Sequence, residues 1–430
     1  MINKELLNEL SKKYNKNKDN IIRERFLNKT ELIDLIMDKN TSLDVEFNCL
    51  IDTHGITNQY DSGRCWIFGG LNILREKVIK KCNLNNFELS GSFLAYYDKL
   101  EKINYIINRL IELVLEGKDI YDKEISNLLN IGVEDGGYFT GFSNLVMKYG
   151  IVPKSVFKET YQSTNTGEIN QILNRLIKKF YLELELYPKK HKSIKNKYIE
   201  YAYRIINNLY GKVPDKFNFE YVDRNNVYHI EKDLTPKLFY KKYININLLD
   251  EYVEVCSYED SKYKYNNLYI IKSSSRIIGT KDNTILNIPL IDMKRMLLKQ
   301  IRSKELVYFS ASIPNKIING ILIDTFNRYG EIFDIDLTLK NNDILKTNET
   351  MGEHVMVFSG VNIIDNKPIK WRIENSWGVN EGDRGYFVAT DDWVNKYVFN
   401  VIINKKYLNK KQKNILKTKP IIVEEMNNKF

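Results

Sequence analysis

Residues 57 to 76 read TNQYDSGRCWIFGGLNILRE. A Ser-Gly pair, Ser62-Gly63, forms an entering turn, and from Cys65 onward the apolar residues Ile67, Phe68, Leu71, Leu74, Val78 and Ile79 recur at spacings of three and four. That spacing places them on one face of a helix, with Cys65 in or near its first turn. Gly69 and Gly70 inside the run each cost the helix about 1 kcal/mol relative to alanine. The stretch therefore starts a helix with a thiol at its amino end. It also raises the question of whether Cys65 packs or reacts.

Outward from this helix the period stays helical through FLAYYDKLEKINYIINRLIELVLEG and NQILNRLIKKFYLELEL, where Ile172, Leu173, Leu176, Ile177 and Phe180 keep the pattern. Further on it changes. YVEVCSY, NLYIIKSSS and ELVYFSAS are short β-branched or aromatic runs closed by turn residues, as strands are. HVMVFSGVNII and PIKWRIENSW, joined by Asp365-Asn366-Lys367, predict an antiparallel hairpin. There is no internal repeat and no Pro- or Gly-rich linker. A helical amino-terminal half and a sheet-rich carboxy-terminal half define an α+β class.

A chain of 430 residues with 43% apolar character can bury a large core, as two or three units or as one elaborated domain. Lysine and arginine number 65 against 55 acids, a net charge of +10 that favours solubility and is compatible with anionic partners. The charged amino terminus, MINKELLNELSKKYNKNKDN, lacks the apolar segment of a secretory signal, and HVMVFSGVNII is too short for a bilayer-spanning helix. The expectation is a soluble, cytoplasmic protein with no membrane partner. Cys49, Cys65, Cys82 and Cys256 are scattered without a C-x-x-C pair, which points to free thiols rather than disulfides or zinc. His54 and Cys49 lie five residues apart, but two ligands make no metal site. No P-loop, G-x-S-x-G or H-E-x-x-H motif occurs, so nucleotide hydrolysis, serine hydrolysis and zinc proteolysis have no support, and no cofactor is expected.

A thiol that attacks an amide carbonyl must ionise, must find a proton donor for the leaving amine, and needs donors aimed at the oxyanion. The positive end of a helix dipole favours the thiolate at Cys65. Of the four histidines, His191 lies in the basic run KKHKSIKNK and His229 in a polar, turn-rich segment. His354 instead opens the best-defined strand, and the paired strand carries Asn375. An amide oxygen accepting from one ring nitrogen would fix the tautomer and aim the other nitrogen at a thiol. Trp377 is placed to cover that bond. Gln59, six residues before Cys65, can supply the oxyanion donor together with the Cys65 backbone N–H; losing one such donor costs about 2.7 to 4 kcal/mol in the chemical step.

In this order, NQ-x4-GRCW, DGG, a histidine opening an apolar strand and ENSWG resemble the papain-like cysteine peptidases, and specifically their bleomycin hydrolase and aminopeptidase C branch. DGGYFTGFSNLVMKYGIVPKSVF and LTPKLFYKKYI extend the likeness over roughly residues 45 to 405. The resemblance implies a papain-like fold, a helical lobe and an antiparallel β lobe with large helical and hook-like insertions. It also implies Cys65 as nucleophile, His354 as general acid and base, Asn375 as its orienter, Gln59 as oxyanion donor, and Gly136 and Gly137 beside the bound substrate. About 290 residues separate Cys65 from His354, against the ~130 to 150 of short papain-like enzymes, as the insertions of this branch require. The expected segments are an extension at 1–45, a helical catalytic lobe at 46–165, an insertion region and start of the β lobe at 166–345, a β catalytic lobe at 346–404, and a basic tail at 405–430. The implied activity is release of amino-terminal residues from peptides, in a homohexamer, with nucleic-acid binding in some members.

The chain departs from the family pattern in four places. Tyr60-Asp61 replace small or polar residues, Gly69 or Gly70 replaces an alanine, and Glu353 stands where the family has threonine, although neighbouring strand residues face opposite ways. The ending PIIVEEMNNKF lacks the family's terminal motif, leaving Glu424, Glu425 or the Phe430 carboxylate to receive an ammonium group. Two rival readings follow from this: an endopeptidase with an open cleft, and an idle scaffold that binds nucleic acid. Residues 405 to 419, KKYLNKKQKNILKTK, carry seven lysines and no acid, and read either as a solvated face or as an anion-binding surface.

Overall fold

The computed structural model describes all residues except 37–43, 314–316, 318–319, 348, 350–352 and 425–430, and of Glu353 only the backbone. Helix Cys65–Cys82 starts at the expected cysteine, and all six of its predicted apolar positions are buried. Its two glycines are explained by packing. A Cβ on Gly69 would lie 2.7 Å from Val355 Cγ1, and one on Gly70 2.5 Å from the Phe142 ring. The propensity lost in the helix is the condition for its close approach to a strand on one side and a second helix on the other.

Helices Gly91–Leu115, Phe139–Tyr149, Gly167–Leu186 and His191–Tyr210 share a core with it through residues such as Leu74, Val78, Ile103, Phe142 and Phe180. Ser90 caps the first of these by accepting from the Phe93 N–H. Ile172, expected on the apolar face, is 47% exposed because its neighbour Leu173, about 100° further round the helix, takes the inward position. The basic run around His191 begins a full helix whose buried Ile194, Tyr198, Ala202, Ile206 and Tyr210 recur every four residues or so. His229 lies on a strand rather than in a turn: Phe217–Val222 and Tyr228–Leu234 pair as a separate hairpin, and His229 stacks on Tyr221.

The second half forms a sheet of eleven strands among the described residues. Its centre runs Tyr252–Cys256, Val398–Asn404, Val307–Ser312, Glu353–Ile364 and Lys367–Glu374, all antiparallel, over a core containing Phe309, Phe358 and Trp371. Parallel pairs occur outside this centre, including Ile421–Glu424 against Asn267–Lys272. The predicted hairpin is tighter than expected. Lys367 already pairs with Ile364, so only Asp365 and Asn366 form the loop, both with positive φ (48° and 62°), as a two-residue turn requires.

At the amino end, helices Lys4–Lys16 and Lys18–Leu27 bury no residue. Near the other end, the lysine-rich segment turns through Lys405–Tyr407 and helix Lys410–Ile415, with Tyr407, Leu408 and Ile415 buried. Among the described residues no helix is long and apolar enough to cross a membrane. The contact of helix Cys65–Cys82 with strand Glu353–Ile364, through Gly69 and Val355, sets the two halves face to face.

Candidate active site

A cleft of about 470 Å³ opens between the two halves, and Gln59, Cys65, Gly136, Gly137 and His354 all line it. Residues almost 290 positions apart in the chain thus meet across one cavity. Asn375 and Trp377 stand behind His354 rather than on the cleft wall.

On the sheet side, His354 Nε2 lies 2.8 Å from Asn375 Oδ1. That oxygen also accepts the Ser376 backbone N–H at 2.8 Å, which identifies it as the oxygen end of the amide. An acceptor so identified requires the proton on Nε2, leaving Nδ1 with a lone pair. Trp377 covers the pair, with ring centroids 4.7 Å apart, and Phe387 packs edge-on against Trp377. Burial pushes the His354 imidazole down to about 4, against the opposing pull of the Asn375 hydrogen bond.

The backbone before the helix is tied to this same segment. Gln59 N–H donates to the Ser376 carbonyl, Ser376 Oγ donates to Gln59 Oε1 at 2.7 Å, and Gln59 Nε2 donates to the Ser62 carbonyl at 2.6 Å. With its oxygen held by a hydroxyl, the buried Gln59 amide has its orientation fixed, and one of its two N–H groups remains beyond the Ser62 bond. Ser376 therefore orients both the amide behind the histidine and the amide beside the thiol. Its place inside ENSWG was the only hint of this in the sequence.

The helix side is held by charge. Arg64, 1% exposed, reaches Glu159 at 3.0 Å and Ser62 Oγ at 2.8 Å. Asp135, the first residue of DGG, accepts from the Gly63 N–H at 2.9 Å, from Lys99 at 2.5 Å, and from Thr166 and Asn170. Burial works against its charge, but Lys99, the Thr166 hydroxyl and the Gly63 N–H outweigh it and hold the carboxyl well below the usual carboxylate range. The two DGG glycines differ: a Cβ on Gly136 would meet open space, whereas one on Gly137 would lie 2.7 Å from Trp66. Trp66 Nε1 donates to the Asp135 carbonyl at 2.6 Å, and Lys102 donates to the Gly136 carbonyl at 2.6 Å.

Other candidates lie elsewhere. His54 sits between Glu76 at 2.7 Å and Arg224 at 2.9 Å, and no group of three or more potential metal-ligating side chains occurs among the described residues. Cys82 and Cys256 are buried, and no disulfide joins any of the four cysteines. The Glu353 side chain, Glu425 and the Phe430 carboxylate fall outside the described residues. Glu424 ends the last strand, 3.2 Å from Lys272.

A thiol at a helix start, an imidazole oriented by an amide and an anchored glutamine around one two-sided cleft define the class of thiol peptidases. The Peptidase C1-like family matches residues 1–427. Aminopeptidase C of Lactobacillus delbrueckii subsp. lactis is 35% identical over 374 residues, covering 85% of this chain and 83% of that one. Bleomycin hydrolase of Mus musculus is 30% identical over 443 residues, covering 98% and 96%. The crystal structure of PepW from Lactobacillus rhamnosis superposes with a TM-score of 0.94 at 30% identity, covering 99% of this chain and 98% of the other. The chain belongs to the Peptidase C1-like family and is a cysteine peptidase.

Proposed function

We propose that this cysteine peptidase acts on peptides as an aminopeptidase. Cys65 attacks the carbonyl of the first residue, His354 takes the thiol proton through Nδ1 and returns it to the leaving amine, and Asn375 holds the imidazole by Nε2. Gln59 and the Cys65 N–H receive the oxyanion, and a water then hydrolyses the thioacyl intermediate with His354 as base. Gly136, open at its Cβ position, accommodates the substrate backbone, while Gly137 serves by packing on Trp66. The observation that carries the mechanism is the 2.8 Å bond from His354 to Asn375 behind a cleft that His354 shares with Cys65.

The amino-terminal preference is supported by relatives named aminopeptidase C. It is also supported by the course of the last described strand, which runs parallel to Asn267–Lys272 and ends at Glu424 opposite Lys272, two residues before Ser274 of the cleft lining. Cys65→Ala and His354→Ala each abolish hydrolysis of aminoacyl fluorogenic amides with an unchanged circular dichroism spectrum; turnover retained by either variant refutes the mechanism. A free-amine peptide is cut faster than its acetylated twin, and equal rates refute the aminopeptidase reading in favour of an open endopeptidase cleft.

The chain works as a cytoplasmic homo-oligomer. Support for assembly comes from the first two helices, which leave Leu6, Leu7, Leu10, Ile22 and Phe26 exposed and bury nothing. The lysine-rich segment gives the nucleic-acid reading less: Lys405 donates to the Leu249 carbonyl and Lys406 pairs with Glu305.

A further inference from the structure

A buried ion pair that the mechanism does not use stands behind the cleft rather than in it. Arg75, on the helix that starts at Cys65, reaches Glu374 at 2.8 Å, and both residues are 1% exposed. Glu374 ends strand Lys367–Glu374 and immediately precedes Asn375, the acceptor of the His354 ring. The same guanidinium lies 3.0 Å from Glu76 and donates to Asn72 Oδ1 at 3.4 Å. Asn72 in turn donates to the Thr57 hydroxyl at 3.1 Å, and both of these residues are buried. Thr57 stands two residues before Gln59, and its carbonyl accepts the Gly378 N–H just beyond ENSW. None of Thr57, Asn72, Arg75 and Glu374 lines the cleft. Three pieces of the site thus converge on one fork of donors: the helix of Cys65, the segment of Gln59 and the strand end that carries Asn375.

We propose that Arg75 is a positioning residue for the reaction: with Glu374 it holds Asn375, and through Asn375 the His354 ring, in register with Cys65. The proposal rests on the peptidase reading of the cleft. Stability alone accounts poorly for such a pair, because replacing a buried ion pair by well-packed apolar side chains of the same volume is often neutral or stabilising. What an apolar contact lacks is direction. A guanidinium is planar and its five N–H groups point in fixed directions, so its partners are held at set angles as well as at set distances. The packing of Gly69 on Val355 sets how near the two halves approach; the Arg75 fork sets how they are turned. A displacement of about 1 Å between reacting groups can cost roughly 100-fold in rate, so a contact outside the cleft that fixes this turn acts on the chemical step.

The test uses variants that keep both charges and change only geometry. Arg75→Lys replaces the fork by a point charge, and Glu374→Asp withdraws the carboxylate by one methylene. Each is assayed as the full chain on an aminoacyl fluorogenic amide, and iodoacetamide labelling of Cys65 is followed across pH by peptide mass spectrometry. Both variants are expected to lower kcat roughly 10- to 100-fold with KM within about twofold of the wild type. Both should also move the midpoint of Cys65 labelling up toward that of an ordinary thiol, about 8.5, since a misplaced imidazolium no longer holds the thiolate. Either variant serves if the other fails to fold. An unchanged kcat and labelling profile, with only the urea midpoint lowered, makes the pair structural and overturns the proposal. A change in KM alone, or failure of both variants to fold, overturns it as well. A wild type that turns over no aminoacyl amide and whose Cys65 labels as an ordinary thiol is instead a failure of the peptidase reading, and the proposal falls with it.

Discussion

The two walls of the cleft are built from opposite materials. The helix wall is held by ion pairs, Arg64 with Glu159, Lys99 with Asp135 and Lys102 with Asp98, nearly all of whose side chains are buried. Around the histidine the sheet wall is held by neutral hydrogen bonds, His354 to Asn375, Ser376 to Asn375 and Ser376 to Gln59. The difference follows from what each wall must do. Around Cys65 the backbone has to be fixed, and fully formed charges fix it without moving a proton. In the proposed mechanism His354 moves a proton, and a fixed carboxylate against the imidazole would hold the imidazolium strongly, whereas a neutral amide orients the ring and leaves it free to titrate.

The largest expected effect comes from breaking the charged wall. Asp135→Ala leaves Lys99, 1% exposed, without its carboxylate, and removes the acceptor of the Gly63 N–H at the turn into the helix that starts at Cys65. Removing one partner of a buried pair costs about 3 to 5 kcal/mol, because the other charge stays buried. Urea unfolding should show that loss, and labelling of Cys65 by iodoacetamide should slow with it. The linkage sign is that of a depressed carboxyl. The contribution of Asp135 is present above the unfolded value near 3.9 and disappears as pH falls below it, so the wild type, but not the variant, should lose this increment in acid.

The sequence exposed the two walls unequally. The turn, the helix from Cys65 and the hairpin carrying His354 and Asn375 were legible because periodicity and turn residues are local signals, and the motif order joined them. The fold class followed from the same signals. The charged wall was not legible, since a lysine at position 99 in an amphipathic helix reads as solvated until Asp135 and Asn170 are brought from 36 and 71 residues away. Gly69 and Gly70 read as a cost because the Val355 and Phe142 side chains that require them lie far along the chain.

The neutral wall is tested next by titration. In Cys65→Ala no thiolate faces the imidazole, so burial dominates and His354 should titrate near pH 4 by heteronuclear NMR, well below its ordinary 6.5. In the folded state the proton is disfavoured relative to the unfolded chain. The His354 contribution to stability is therefore complete above pH 6.5 and is lost as pH falls from there toward 4, an increment of about 3 kcal/mol. His354→Gln on the same background should flatten that part of the stability profile. An imidazole that titrates at 6.5 or above in Cys65→Ala would mean that the site holds a cation without the thiolate, and the contrast between the walls would not stand.

The smallest effect should come from Ser376→Ala, which separates orientation from fixation. The variant keeps the backbone N–H that donates to Asn375 and the carbonyl that accepts from Gln59, and loses only the hydroxyl that pins Gln59 Oε1. A net hydrogen bond is worth about 0.5 to 1.5 kcal/mol, so stability falls by at most that much. If the hydroxyl serves to aim the Gln59 N–H at a forming oxyanion, the loss appears in kcat rather than KM, roughly 2- to 10-fold, because only the transition state uses the aim. A change confined to KM, or to thermal stability with kcat untouched, would place Ser376 among the groups that merely fix the backbone, and the division between a charged wall that holds and a neutral wall that orients would have to be redrawn with Gln59 on the holding side.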